Sequence, residues 1–276
     1  MEKVSDFKRK ILFMDYPGEV GASNYVSFTR NIIEEYKKFF GSDVGGCWDE
    51  NEFIDINETN PYALNEKNCS EALEEIKNCD YSIVVFVGHG CNYDGLDMIQ
   101  LNSNEKLFSV EQLYTNAKKR LVIIDSCRTY LGQLSVPSVS FMISESEDSS
   151  RERNRESYNK IIRDIPNHIE LIQSTPKGCK AGTLSSEKSS VFSRAFLEII
   201  NSLASRSPAK CRRLMEINDP YSVSYNGIKA EVDNAIANNK QKSDYNCFIG
   251  NNEYRPEDRE KGYFPLLCID NNNNLL

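Results

Sequence analysis

The sequence has few of the residues that metal sites and nucleic-acid interfaces require. It contains only two histidines and one tryptophan, and its nine cysteines are scattered without a Cys-x-x-Cys pair. This spacing argues against a zinc site and against a disulfide framework, so we expect reduced thiols. The net charge of −8 argues against a nucleic-acid partner, because phosphate binding needs a basic surface.

Long apolar runs are also missing. No stretch approaches the length that crosses a bilayer, and the start of the chain lacks the apolar segment of a signal peptide. We therefore expect a soluble, cytoplasmic protein with no membrane partner. A chain of 276 residues, 39% of them hydrophobic, is long enough to form one large α/β domain.

Two short apolar runs carry the main functional signal. The run YSIVVFVGHG places His89 at its end, and the run RLVIIDSCR places Cys127 near its end. Both runs are rich in β-branched residues and bounded by polar turns, which predicts two buried strands of a parallel sheet. Because a right-handed crossover brings the carboxyl ends of such strands to the same edge of the sheet, we predict that His89 and Cys127 lie close together.

A cysteine beside a histidine is a candidate nucleophilic pair. The thiolate is the reactive form of cysteine, and an imidazole can take the thiol proton and later deliver it to a leaving amine. The backbone N–H groups of Gly90 and Cys127 are candidates for stabilising the developing negative oxygen. Taken singly, each residue has an ordinary explanation, a buried small side chain or a turn. Cys91 is a rival thiol, and His168 is assigned a structural role.

The rest of the chain indicates alternating strands and helices. Further strands are predicted at 10–16, 53–57, 168–175, 245–250 and 263–270. Helices are predicted at about 25–40, 68–77, 110–119, 158–165 and 191–203, the second and third opened by capping boxes. A small hairpin is predicted around the sequences MIQL and KLF, which follow His89.

At this point the motifs resemble those of the caspase-like cysteine peptidases, which include caspases, metacaspases, paracaspases and bacterial CHAT-type relatives. VFVGHG resembles the family strand that ends in His-Gly, and VIIDSCR resembles the strand that ends in Asp-x-Cys. QSTPKGCKAGTLSSEKSSVFSRAFLEII resembles the later strand, small-residue loop and helix, and YFPLLCI resembles the terminal Phe-Pro strand. The resemblance spans about Ile11 to Ile269. It implies a three-layer α/β sandwich around a mainly parallel sheet of about six strands.

The resemblance also implies an activity. It makes Cys127 the nucleophile, His89 the general base and acid, and the amides of Gly90 and Cys127 the oxyanion hole. In metacaspases and paracaspases the aspartate two residues before the cysteine lines a pocket for a P1 arginine or lysine, and Asp125 occupies that position. The implied protein is an endopeptidase that acts on protein substrates after Arg or Lys. Bacterial relatives imply latency until a partner or signal arrives, and a role in regulated cell death or antiviral defence.

The chain departs from two family patterns. The Gln-Ala that precedes the cysteine in caspases is absent. The acidic calcium loop of metacaspases is not evident, because Asp94 and Asp97 are too few to form it. We therefore expect no calcium requirement, no other metal and no cofactor.

The resemblance divides a single domain over 1–276 into three parts. These are a large-subunit-like part at 1–143, an exposed linker at 144–157 and a small-subunit-like part at 158–276. The linker is charged and serine-rich, which is typical of an exposed segment. A peptidase with basic P1 specificity could cut itself within it. The candidate self-cleavage sites are Arg151, Arg153 and Arg155.

Two other functions stay open on sequence grounds. One is a catalytically silent caspase-like domain that acts as a binding or scaffold module, although such a module has no need of an intact Cys/His pair. The other is a different α/β thiol hydrolase, such as an acyl or amide hydrolase. Monomer and dimer are both compatible with the sequence.

Overall fold

A mainly parallel sheet lies at the centre of the computed structural model, which describes residues 7–57, 64–102, 106–114, 117–129, 151–184, 189–205, 224–249, 252–253 and 263–267. The strands in chain order are β1 (Arg9–Tyr16), β2 (Phe53–Asn57), β3 (Tyr81–Gly88), β4 (Gly90–Tyr93), β5 (Leu96–Gln100), β6 (Leu107–Ser109), β7 (Lys119–Ser126), β8 (Ile169–Gln173), β9 (Thr183–Leu184), β10 (Ser189–Ser190), β11 (Asp244–Ile249) and β12 (Asn252–Glu253). The helices are α1 (Thr29–Gly41), α2 (Glu66–Ile76), α3 (Arg151–Asp164), α4 (Val191–Ser205) and α5 (Tyr225–Ile236).

The spatial order of the central sheet is β12, β11, β8, β7, β3, β1, β2. Strands β8, β7, β3, β1 and β2 run parallel, whereas β11 and the two-residue β12 are antiparallel additions at one edge. Strands β4, β5 and β6 form a separate antiparallel sheet, and β9 pairs with β10. The predicted α/β class and a mainly parallel sheet of about six strands are therefore confirmed.

Helices cover both faces of the sheet. Ile11 and Phe13 of β1 pack into one layer of the core, and Leu12 and Met14 pack into the other. Helices α1, α3, α4 and α5 lie in the first layer, and α2 lies in the second together with the β4–β6 sheet. Because both faces are buried, the strands read as nearly continuous apolar runs, and the three-layer arrangement expected from the family is present.

The predicted helix at 110–119 is wrong. Among the described residues of this range the only helix is a short 3-10 helix at Val110–Tyr114, and β7 already begins at Lys119. Lys119 is paired with Tyr81 at the start of β3. Pairing along the whole length of a central strand therefore determines the structure of this segment, and the local capping signal does not.

Helix α2 begins earlier than the capping box suggested. Its N-cap is Asn65, whose Oδ1 accepts a hydrogen bond from the backbone N–H of Asn68 at 2.9 Å. The sequence pattern assigned the N-cap to Asn68, but Asn68 lies inside the helix. Asn65, three residues earlier, is the N-cap.

Helix α3 also begins earlier than expected. Its first residue is Arg151, so residues 151–157, the second half of the predicted exposed linker, are helical. Residues 144–150 lie outside the described part of the chain. Near the end of the chain, the described residues Tyr263–Leu267 contain a single antiparallel bridge, from Pro265 to Ser224, where a strand was expected.

Candidate active site

The two candidate catalytic residues directly follow the ends of two neighbouring strands of the central sheet. Strands β3 and β7 are parallel neighbours, and the last pair in their register is Gly88 with Ser126. His89 and Cys127 are the next residue on each chain. Because neighbouring strands are about 5 Å apart, both side chains start from adjacent positions at the carboxyl edge. The prediction that these strands are neighbours is confirmed.

The ring of His89 is held by the turn that follows β1. Its Nε2 lies 3.2 Å from the carbonyl oxygen of Pro17. Because a carbonyl oxygen only accepts, this contact favours the neutral tautomer that carries its proton on Nε2 and leaves Nδ1 unprotonated. Burial lowers the pKa of His89 below its ordinary value, although backbone hydrogen bonds to Pro17 and Asn24 act in the opposite direction. The imidazole is therefore neutral at neutral pH and can act as a base.

Gly18 makes this contact possible. Its backbone φ is +89°, and a β-carbon at this position would lie 2.8 Å from Nε2 of His89. Both the backbone conformation and the close approach disfavour any residue with a side chain at this position. The Pro-Gly turn therefore supports the histidine ring.

The thiol of Cys127 is partly buried and protonated at rest. Its Sγ lies 3.9 Å from the carbonyl oxygen of Ala181, in the loop after β8. Burial raises the pKa of the Cys127 thiol above its ordinary value. A neutral thiol needs a base before it can attack a carbonyl, and the neutral imidazole of His89 follows the adjacent strand.

One pocket is lined by the candidate base His89, the candidate nucleophile Cys127 and the candidate specificity residue Asp125. Its space amounts to about 520 Å³ when the open solvent at its mouth is included. The loop after β8 contributes a wall at Lys180 and Ala181. The remaining lining residues are Val26, Phe28, Thr29, Val87, Gly88, Ser126, Thr183 and Ser190.

Asp125 lies buried in this pocket with hydroxyl donors around it. Its Oδ2 accepts hydrogen bonds from the side chains of Ser190, in β10, and Ser193, in the first turn of α4. Burial raises the pKa of Asp125, and hydrogen bonds from these serines and from Ser174 counteract part of that effect. Among the described residues, the hydrogen-bond donors to this carboxylate are serines, so no Arg or Lys side chain is bonded to it.

Gly90, directly after His89, lies against the segment that contains Ser126 and Cys127. A β-carbon at this position would lie 2.5 Å from Oγ of Ser126 and 2.8 Å from the carbonyl oxygen of Cys127. The absence of a side chain therefore allows the two loops to touch. The role of the Gly90 and Cys127 amides as an oxyanion hole stays a prediction.

Several supporting groups were not found by sequence reasoning. These are the Pro17 carbonyl, the two serine donors to Asp125, and Gln241. The buried Gln241 side chain donates to the Ser174 carbonyl at 2.6 Å and accepts from the Gly182 N–H at 2.7 Å, which holds the loop after β8 in place. The rule that sites lie beyond the carboxyl ends of parallel strands pointed to these loops, but it does not select residues within them.

The predicted self-cleavage sites lie far from this pocket. Arg155 binds Glu52, which also binds Arg9 at the first residue of β1. Pro17 follows the other end of β1, and eight residues of strand span roughly 25 Å. Arg151 is anchored too, because it donates to the Gly41 carbonyl at 2.6 Å. These arginines and Arg153 are all helical, and only Arg153 is exposed.

The part of the chain that the structure describes offers neither a metal-binding cluster nor a membrane-spanning helix. No group of three or more His, Cys, Asp and Glu side chains there is arranged to hold a metal ion. Within the same ranges, no helix combines the length and apolar character of a membrane span.

Comparison with known proteins identifies the family. The family model described as the caspase domain matches residues 55–254, a range that includes both His89 and Cys127. The chain therefore belongs to the caspase domain family, as its motifs indicated.

Solved structures agree with this fold. Caspase-1 from Spodoptera frugiperda is similar with a TM-score of 0.50 and 11% sequence identity, over 88% of this chain and 88% of its own. A protein from Geobacter sulfurreducens is similar with a TM-score of 0.53 and 13% identity, over 90% of this chain and 98% of its own. At these identities the similarity establishes the fold alone. A search of curated protein sequences finds no match.

Proposed function

We propose that the protein is a cysteine endopeptidase that hydrolyses protein substrates after arginine or lysine. The observation that carries this proposal is the location of His89, Cys127 and Asp125 in one pocket at the carboxyl edge of the sheet. Membership of the caspase domain family supports a peptidase of the cysteine class.

The proposed reaction begins with attack of the Cys127 sulfur on the substrate carbonyl carbon while Nδ1 of His89 takes the thiol proton. The carbonyl oxygen becomes negative, and the backbone N–H groups of Gly90 and Cys127 stabilise it. The intermediate collapses, the C–N bond breaks, and the imidazolium gives its proton to the leaving amine. Water then attacks the thioester with His89 as the base, which releases the acid product and restores the thiol.

The polar contacts of His89 support its role as the base. Because Nε2 donates to the Pro17 carbonyl, the tautomer with an unprotonated Nδ1 is favoured. The Pro17 carbonyl also stabilises the imidazolium that forms when the proton is taken, because both ring nitrogens are then donors.

Asp125 supports basic P1 specificity. A buried carboxylate whose hydrogen-bond donors are hydroxyl groups can accept a guanidinium or ammonium without first losing an ion-pair partner. An acidic P1 side chain would be repelled, and a neutral one would leave the carboxylate without a counter-charge.

Latency is part of the proposal. His89 is 8% exposed, and the walls around the partly buried Cys127 leave a narrow pocket. A substrate backbone reaches the thiol only after these walls separate, and a partner protein could favour that separation. The proposed roles in regulated cell death or antiviral defence are supported only by the resemblance to bacterial members of the family.

The test is cleavage of fluorogenic peptides with a randomised P1 residue by the wild type, Cys127→Ala and Cys91→Ala. Cys91 is a suitable control thiol, because it is buried in β4 and its pKa is raised by burial. Turnover after Arg or Lys that is lost only in Cys127→Ala would support the proposal. A preference for aspartate at P1 would refute the proposed specificity. A wild type that neither turns over peptides nor reacts at Cys127 with a peptidyl ketone probe carrying P1 arginine, alone or with candidate partner proteins, would favour the binding-module alternative.

A further inference from the structure

Arg128 follows the proposed nucleophile directly and is almost completely buried, with 7% of its side chain exposed. Its Nη2 donates to Oδ2 of Asp97 at 2.6 Å, and its Nη1 donates to Oδ2 of Asp244 at 2.6 Å. Nη1 also donates to the Thr175 carbonyl at 3.0 Å. One guanidinium thus joins two carboxylates and a carbonyl group in three directions.

These partners come from three separate elements at the carboxyl edge. Asp97 lies in β5, within the small sheet that directly follows His89. Thr175 follows β8, and Asp244 is the first residue of β11. The side chain of Arg128 therefore links the segment after β7, which contains Cys127, to three other parts of the protein. These are the small sheet that follows His89, the loop after β8 and the antiparallel edge of the central sheet.

The backbone of Arg128 is held as well. Its N–H donates to the Cys179 carbonyl at 3.0 Å, and its carbonyl accepts from the Gly178 N–H at 3.0 Å. Asp97, the ion-pair partner of Arg128, is held in turn by Asn92, whose Nδ2 group donates to it at 3.0 Å. The backbone N–H of Asn92 donates to the Thr129 carbonyl at 2.9 Å. The backbone N–H and carbonyl groups of Arg128 are thus both hydrogen-bonded, while its buried Nε has no partner among the described residues.

We propose that Arg128 is a positioning residue that holds the Cys127 thiol against His89 and its amide towards the substrate oxygen. The inference rests on the proposed peptidase function. Arginine suits the position because its planar group carries donors in several directions and stays charged, whereas lysine has one ammonium at a single point. A misplacement of about 1 Å at a reacting group can reduce a rate by about 100-fold.

A purely structural ion pair would behave differently from a positioning residue. Loss of a structural pair lowers the stability of the fold but leaves the folded fraction with a normal turnover number. Loss of a positioning residue lowers kcat and the reactivity of Cys127 in protein that is fully folded, while KM changes little, because substrate contacts persist.

The experiment compares the wild type with Arg128→Gln, Arg128→Lys and Asp244→Asn. The control is Arg163→Gln, which removes an arginine whose ion-pair partner, Glu156, is exposed. The readouts are kcat and KM for the best peptide, the thermal midpoint, and the alkylation rate of Cys127 by iodoacetamide at slightly acidic pH. Peptide mapping by mass spectrometry separates Cys127 from the other cysteines. Asp244→Asn keeps the arginine and serves if Arg128→Gln does not fold.

We expect Arg128→Gln to lower kcat and Cys127 alkylation by about 10- to 100-fold with KM within about threefold of the wild type. Arg128→Lys should recover part of the loss, Asp244→Asn should show a smaller loss in the same direction, and Arg163→Gln should match the wild type. Folded Arg128→Gln and Asp244→Asn variants with wild-type kcat and alkylation would overturn the inference. If the wild type neither cleaves peptides nor reacts with the peptidyl ketone probe, alone or with candidate partner proteins, the peptidase proposal fails, whereas the alkylation comparison still tests the positioning of Cys127.

Discussion

Nε2 of His89 lies 3.2 Å from the carbonyl oxygen of Pro17, which joins the end of β3 to the turn after β1. This contact favours the tautomer with the proton on Nε2, which leaves Nδ1 as the candidate base. The turn after β1 is therefore part of the candidate catalytic machinery, although it carries no reactive side chain.

The acidic limb of the kcat/KM profile should lie at an unusually low pH. His89 must be neutral to accept the thiol proton, and burial lowers its pKa below 6.5, so activity should be lost only as the pH falls through a midpoint under 6.5. The thiol pKa is raised above 9.0, so the profile should stay level into the alkaline range. Initial rates in overlapping buffers, with Cys127→Ala as the blank, check this. An acidic midpoint above 6.5 would contradict a neutral buried base.

Gly18→Ala should impair catalysis through the histidine ring. The new β-carbon would lie 2.8 Å from Nε2, so we expect the ring to move and kcat to fall about tenfold. Gly21→Ala is the matched control, because Gly21 lies in the same loop with φ +88° and no atom lies within 4 Å of a β-carbon there. Both variants should lose about 1 kcal/mol of stability from the positive φ. Equal kcat in the two variants would show that the contact with His89 is not required.

Asp125→Asn should reduce recognition of a positive P1 side chain. Asparagine keeps an acceptor for the Ser190 and Ser193 hydroxyls but removes the charge. We expect kcat/KM for a P1 arginine peptide to fall about 100-fold, and that for the same peptide with neutral citrulline to change only a few-fold. The ratio of the two rates is the measurement. An unchanged ratio would remove Asp125 from the specificity pocket.

Self-cleavage at Arg151, Arg153 or Arg155 should be slow in the folded protein. A peptidase needs an accessible segment, and here the segment is helical and anchored by Arg151 and Arg155, so local unwinding must come first. A synthetic peptide covering residues 146–160 has the same sequence without the anchors. We expect the active enzyme to cut this peptide faster than it cuts a Cys127→Ala protein substrate. Equal rates by mass spectrometry would show that the helix gives no protection.

Acid should weaken the anchor at Glu52. Burial alone would raise the pKa of Glu52, but hydrogen bonds from Arg155 and Arg9 outweigh it and lower the pKa below 4.5. A lowered folded pKa means that this stabilisation is present above the unfolded pKa and is lost as the pH falls through the folded one. We expect Glu52→Gln to cost roughly 3 kcal/mol at neutral pH and to show a smaller further loss on acidification. Urea unfolding at several pH values measures both effects, and parallel stability curves for the two proteins would refute the assignment.

Sequence patterns predicted secondary structure correctly where an element is well buried and the spacing of its apolar residues is clear. Strands β1, β3 and β7 read as apolar runs because both of their faces are covered, and α4 reads as a helix because one face packs into the core. Patterns failed where a local signal competed with distant pairing. The segment before β7 carries a capping box, yet β7 starts at Lys119 because it pairs with β3.

The sequence by itself determined the order of the strands along the chain and the positions of His89 and Cys127 at the ends of two of them. Only the tertiary structure decided which groups surround these residues. The hydrogen-bonded residues are far apart in the sequence. Pro17 and His89 are separated by 72 positions, Ser190 and Asp125 by 65, and Asp244 and Arg128 by 116. A hydrogen bond between residues so far apart leaves no periodic trace in the chain, because it depends on how the strands are ordered in the sheet and how the loops pack beyond their ends.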